Sequence, residues 1–262
     1  MMDLPIPVSD AIESYYPDNN AYVFKSQRGL LRVSFVKDKL VHIEFTVNNK
    51  FGARQPWIME NVGTLESQIC EDEAYYYLNR DSVKVMVSKA SGTVSFAGGE
   101  GQILFTEDSR YAREFEPVQE YITIDDGSVE SSEVVTADGV KKVVSSANRK
   151  PGRLLYRTRL HFMFEDGEAI YGLGQSEEGV FNLRGHVKYL HQANRKIAIP
   201  VMMSSKGYGI LFPSGSAGMF SDNENGTFYQ TEACENMEYY FMGGDSIDES
   251  ISMFRFLTGN RA

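Results

Sequence analysis

The chain has 262 residues, a formal net charge of −10, 42% hydrophobic residues and 12% aromatics. That length fits one large all-β domain or two ordinary ones, and 15 Tyr and 16 Phe against a single Trp, Trp57, suit strands better than a helical bundle. The negative charge argues against nucleic acid and an anionic membrane surface as partners, because both require a basic face, and no apolar run is long enough for a transmembrane helix.

The first residues, MMDLPIPVSDAIESYY, lack the basic n-region and continuous apolar core of a secretory signal. Cys70 and Cys234 are too few for a disulfide framework, and the chain reads as a cytoplasmic protein with two reduced thiols. Next come LLRVSFV and KLVHIEFTV, which alternate on either side of a Lys37-Asp38-Lys39 turn and predict a hairpin. Val41, Ile43, Phe45 and Val47 share the apolar face, while His42, Glu44 and Thr46 share the other, as in a half-buried strand. SVKVMVSKASGTVSF repeats the pattern through Val83, Val85, Val87, Val94 and Phe96, and Gly98-Gly99 marks a further turn before QILFTED.

Residues 125–150 are polar and read as a long surface loop or as a flexible hairpin whose second arm is GVKKVVSS. The longest alternating run then begins after Pro151-Gly152, with Leu154, Tyr156, Thr158, Leu160, Phe162 and Phe164 on one face and Arg157, Arg159 and His161 on the other. Asn225-Gly226-Thr227 matches a glycosylation sequon and, in a chain read without a secretory signal, is taken as a turn. A helix closes the series over about 246–258: Ser246 and Glu249 form a capping box, Ile247, Ile251, Phe254 and Leu257 follow at helical spacing, and Gly259 suits the C′ position. Many short, turn-separated strands predict a large antiparallel β-sandwich. With no internal repeat and no second composition regime, residues 1–262 read as one domain.

Four segments carry a resemblance. Tyr171-Gly172-Leu173-Gly174-Gln175 combines two glycines with one apolar residue, which serves a tight turn, a bulge or a close backbone approach; Gln175 then bonds a loop, a neighbouring domain or a sugar. Asn182-Leu183-Arg184-Gly185 follows, with Arg184 read as a surface or interdomain ion-pair residue. The segment Leu190-His191-Gln192-Ala193-Asn194 and the hairpin Ile197–Phe212 complete the set. Together they resemble the end of the N-terminal β-sandwich domain of glycoside hydrolase family 31, the α-glucosidases, α-xylosidases and relatives, in which the motifs Y-G-x-G-[EQ] and N-x-[RK]-G recur. The resemblance is specific from about Tyr171 to Arg261.

The resemblance implies a galactose-mutarotase-like sandwich whose C-terminal helix leads to a (β/α)8 barrel that is absent from this chain. It implies that Asn194, then Gln192 and His191, touch substrate from a loop over the barrel mouth, while Gly172, Gly174, Gln175 and Arg184 shape the loop or meet the next domain. Asn and Gln amides suit this work because each offers a donor and an acceptor to hydroxyls. Gln192-Ala193-Asn194 departs from the Asn-Arg-Asp of many α-glucosidases and is similar to the α-xylosidase branch. The partners implied are the barrel and an oligosaccharide or α-glycoside, with no cofactor and no metal, and self-association where the barrel-facing patch is bare.

Retaining α-glycosidases need two carboxyl groups about 5–5.5 Å apart, and the family's W-x-D-M-x-E-like nucleophile motif does not occur here. Glu177-Glu178, Glu71-Asp72-Glu73 and Asp125-Asp126 read as solvated turns, so this chain is expected to be inactive alone. Two other readings are carried. A carbohydrate-binding module would stack sugar on Trp57 or on Tyr75-Tyr76-Tyr77, of which Tyr76 faces away from the other two. An aldose mutarotase would need an acid–base pair, and His161 with Glu165 or Glu168 is the local pairing available.

Overall fold

Apolar side chains recurring at every second position give strands β2 (Ala21–Ser26), β3 (Leu30–Lys37) and β4 (Leu40–Thr46), and the largely exposed β1 (Ile12–Asp18) pairs along the edge of β2. The structure is a computed structural model that describes residues 10–52, 62–80, 82–124, 130–137, 139–146 and 148–259. Trp57 and Asp125-Asp126 lie outside the described residues. The chain continues with β5 (Gln68–Glu71), β6 (Tyr75–Arg80), β7 (Val83–Ser88), β8 (Val94–Ala97), β9 (Ile103–Glu107) and β10 (Arg113–Thr123). Next come β11 (Glu130–Thr136), β12 (Gly139–Ser146), β13 (Arg149–Met163), β14 (Ile170–Gly172), β15 (Val187–Leu190) and β16 (Val201–Ser204). Last are β17 (Gly209–Leu211), β18 (Gly218–Asn223), β19 (Gly226–Cys234), β20 (Met237–Met242) and helix α1 (Ile247–Leu257).

One sheet runs β1-β2-β3-β4-β20-β17-β16-β14, and the second runs β15-β18-β19-β13-β9-β8-β7-β6-β5, with β10 also paired to β13. All these pairings are antiparallel. The sheets face each other across one apolar core, in which Phe24, Val33, Phe35, Ile43, Phe241 and Ile210 of the first meet Leu78, Val85, Phe96, Phe105, Phe162 and Phe220 of the second. Phe96 and Phe241 stack across the gap with centroids 4.0 Å apart. Burying a side chain of this size contributes about 1.5–3 kcal/mol. The fold is the antiparallel β-sandwich that the alternation predicts.

Two details differ from the sequence reading. First, the polar row of β4 is not at the surface: His42, Glu44 and Thr46 are buried, as is every residue of the strand. His42 stacks on Tyr240 at 4.3 Å and meets Glu238 at 2.9 Å, while Glu44 receives Arg32 at 3.1 Å and Asn236 at 2.7 Å. Alternation tells which residues share a face, not whether that face is covered. Second, α1 buries the predicted stripe only in part: Leu257 and Phe254 face inward as expected, but Ile251 does not. Ser250 and Leu257 are its buried residues, with Met253 and Phe254 partly buried, while Ile251 is 39% exposed. Ser250 fixes that rotation by donating to the carbonyls of Gly207 (2.7 Å) and Met242 (3.0 Å). Ser246 caps the helix, its Oγ accepting from the Glu249 N–H at 3.3 Å, and Gly259 has φ +80°.

The open choice over residues 125–150 falls to the hairpin, because β11 and β12 pair only with each other and β12 coincides with GVKKVVSS. Neither cysteine is in a disulfide, and burial pushes the Cys234 thiol up to about 11, so it remains a thiol at neutral pH.

Candidate functional site

The edge strands β14 and β15, one from each sheet, flank a loop system over 173–200. Its shape begins with three successive residues in the left-handed region: Gly172 (φ +102°), Leu173 (φ +60°) and Gly174 (φ +84°). Leu173 is buried and donates its N–H to the Val201 carbonyl at 2.8 Å, which repays a conformation that L-residues seldom adopt. A Cβ on Gly174 would stand 1.9 Å from the Ile197 carbonyl oxygen, and one on Gly172 2.5 Å from that of Val201. The two glycines thus allow a close approach of backbones, and Gln175 exploits it through its main chain: its N–H reaches the Ile197 oxygen at 2.8 Å and its oxygen accepts from the Ile197 N–H at 2.9 Å. Lys188 of β15 ties the other sheet to this turn, donating to the carbonyls of Gly172 (3.3 Å) and Gly174 (3.2 Å). Burial lowers its pKa.

Against this base, residues 191–196 form a tight turn closed by the Lys196 N–H to the Ala193 oxygen at 3.1 Å, with Arg195 at φ +63°. The Gln192 side-chain oxygen accepts from the Ala198 N–H at 3.3 Å, so this residue helps to fold the loop. Arg195 pairs with Glu177 at 3.2 Å and Lys196 with Glu178 at 2.8 Å. The hydrogen bond from Lys196, seconded by Ser176, holds the Glu178 carboxyl down to about 2. The adjacent carboxylates are thus exposed, as solvated turn residues, and each meets a basic residue of the loop. His191, Gln192 and Asn194 are exposed on the turn, and the side chains of His191 and Asn194 have no partner among the described residues.

Arg184 points into its own domain. Its Nη1 donates to the carbonyls of Glu165 (3.0 Å) and Glu168 (2.8 Å), its Nε to Asp222 (2.8 Å), and its guanidinium lies 5.0 Å over the Phe164 ring. Burial pushes the Asp222 carboxyl upward, but hydrogen bonds from Thr227, Gly185 and Arg184 outweigh it and hold the pKa low. Asn182 serves the same corner, its side-chain oxygen accepting from the N–H groups of Ile170 (3.1 Å) and Arg184 (3.2 Å).

The acid–base pair built from His161 with Glu165 or Glu168 does not form. Glu168 is buried and accepts from Ser204 (2.5 Å), Tyr208 (2.6 Å) and the Glu165 N–H (2.9 Å), whereas His161 meets Glu114 at 3.0 Å. Strand alternation made His161 legible, but its partner lies across the β10–β13 pairing, at a sequence distance no local spacing reveals. Tyr76 is buried on Phe24, with Tyr75 and Tyr77 together on the opposite face, and the Tyr77 hydroxyl is engaged by Asp72 at 2.6 Å.

The sequence reading passed over a set of bare apolar side chains beside the loop. Phe181 is 79% exposed, Tyr189 64%, Ile197 52% and Ile199 43%. Phe181 leans on Tyr171 with centroids 4.9 Å apart. Apolar residues at alternate positions, Val187 and Tyr189 and then Ile197 and Ile199, were the available signal. Beside them the loop offers exposed amides, an arrangement suited to a larger body packing on the ridge and a hydroxyl-bearing ligand meeting the turn.

Comparison with known proteins agrees with this architecture. The family described as "Glycosyl hydrolase 31 N-terminal galactose mutarotase-like domain" matches residues 30–220. An α-xylosidase of Saccharolobus solfataricus is 38% identical over 114 residues, which is 40% of this chain and 16% of that protein. Among solved structures, a GH31 α-xylosidase from a soil metagenome, complexed with xylose, superposes with a TM-score of 0.72 at 20% identity, over 94% of this chain and 34% of its own. A GH31 dextranase of Flavobacterium johnsoniae gives 0.70 at 17% identity, over 97% of this chain and 28% of its own. The chain therefore spans well under half the length of these relatives.

Proposed function

This chain belongs to the glycosyl hydrolase 31 N-terminal galactose mutarotase-like domains, and from that premise we propose that it is the non-catalytic sandwich of a retaining α-glycosidase. It packs its apolar ridge on a catalytic barrel and lends the turn 191–196 to the substrate site. The observation that carries this reading is that one loop exposes the apolar side chains of Ile197 and Ile199 together with the amides of Gln192 and Asn194. The barrel supplies both carboxyl groups for retention, and this domain supplies position: the folded turn brings an amide within reach of a sugar hydroxyl. The substrate is a terminal α-linked xylose or glucose, with xylose favoured by the similarity to proteins named α-xylosidases. A cytoplasmic location goes with this reading, supported by the two free thiols and testable by cell fractionation.

In the full-length gene product, Asn194→Ala is expected to lower kcat/KM on p-nitrophenyl α-xyloside about tenfold, mainly through KM, as for a lost binding hydrogen bond. Unchanged kinetics would remove Asn194 from the site. Activity of the 262-residue chain alone, or a gene encoding no adjoining barrel, would sink the reading as a whole. Left without a barrel, the ridge is available to a second copy of the chain. Sedimentation is expected to show a mass that rises with concentration and falls back to monomer in Phe181→Ser/Tyr189→Ser; a concentration-independent monomer counts against the ridge as a docking face.

A further inference from the structure

A second concave site lies on the outer face of the second sheet, where the loop between β9 and β10, the end of β13 and the turn between β18 and β19 meet. Tyr111 stands at its mouth, 61% exposed, with its ring edge-on to His161 at 6.2 Å. Glu114 and His161 lie in the wall 3.0 Å apart, Asn225 sits on the opposing turn, and Phe164 and Met163 supply apolar surface.

The charges here are closed among themselves. Arg110 holds Asp108 through two bonds, of 3.1 and 2.9 Å; Glu114 is shared by His161 and by Arg159 at 3.3 Å; Arg184 is taken by Asp222 at 2.8 Å. Each ionic group here already has an oppositely charged neighbour, so an incoming ion would compete with it, whereas a neutral ligand need not displace either partner. What the cleft offers is a Tyr111 ring that carries the Arg110 guanidinium 5.7 Å from its centroid on one side and is otherwise 61% exposed, next to carboxylate, imidazole and amide groups that can exchange hydrogen bonds with hydroxyls. We propose that this cleft binds a neutral saccharide, one pyranose ring lying on Tyr111 with its hydroxyls toward Glu114 and Asn225. The choice of a saccharide among neutral polyols rests on the glycosidase reading, but the site is separate from the turn 191–196.

The test is a ligand-observed NMR titration of the 262-residue chain with isomaltotriose and with xylose. Saturable binding is expected, weakened about tenfold or more by Tyr111→Ala, because loss of a stacked ring removes a tenfold-scale contribution. Tyr111→Phe keeps the ring and is expected to bind as the parent does. Gln192→Ala/Asn194→Ala leaves this binding unchanged. Absence of saturable binding overturns the proposal, as does binding that Tyr111→Ala leaves intact or that requires Gln192 and Asn194. These outcomes do not touch the barrel-dependent activity by which the proposed function stands or falls, so the two readings fail separately.

Discussion

Arg113→Leu is expected to lower the unfolding free energy of this chain by about 3–5 kcal/mol, the scale for stripping one partner from a buried ion pair. Arg113 and Glu107 are both buried, and the Nη2 of one contacts the carboxylate of the other. Further bonds of the pair reach both sheets, while the buried Arg113 Nε has no hydrogen-bond partner among the described residues. Glu107, on β9, accepts from the Val94 N–H of β8 at 2.9 Å and from the Tyr239 hydroxyl of β20, across the sandwich, at 2.9 Å. Arg113 donates to the Gly92 carbonyl at 3.1 Å and lies 4.9 Å over the Phe45 ring of β4. Burial pushes the Glu107 carboxyl upward, and Arg113 with the Val94 and Tyr239 donors opposes that shift. With leucine at 113, that carboxylate keeps its desolvation cost and loses its counter-charge.

Urea unfolding followed by circular dichroism measures the loss. The double variant Glu107→Leu/Arg113→Leu is expected to recover part of it, since apolar replacement of a whole buried pair is often neutral or better. A loss below about 1 kcal/mol for Arg113→Leu, the scale of a surface pair, would mean that water reaches Glu107.

Gly174→Ala carries the second large effect. Its φ of +84° and the 1.9 Å separation from the Ile197 oxygen act together, so the chain must swing away from residues 197–199 to admit a methyl group. A stability loss of about 1–3 kcal/mol is expected, with the Gln175–Ile197 bonds broken and the turn 191–196 released. Limited trypsin digestion reads that release as faster cleavage after Arg195 and Lys196. Gly179→Ala is the control: φ is +65° there too, but a Cβ would meet nothing within 4 Å. Its cost is expected to stay near the 1–2 kcal/mol of the backbone term alone, with trypsin sensitivity unchanged. Equal behaviour of the two variants would show that the close approach at Gly174 has no bearing on the loop.

The amino-acid sequence determined the layers of this protein. Alternating residues of β3, β4, β7 and β13 announced the sandwich, Ser246 and Glu249 announced the helix, and the glycines of Tyr171–Gln175 announced a special backbone, because each of these signals is local and repeats at the period of its element. What lies across a sheet or between sheets was decided by tertiary structure alone. His42 and Glu44 are covered because of what packs on their face. His161 finds Glu114 rather than its chain neighbours because β10 and β13 pair in that register. Glu177 and Glu178 meet Arg195 and Lys196 because the turn 191–196 folds back beside them. Contacts of this kind depend on strand order and register, which join residues distant in the chain and leave no periodic trace in the sequence.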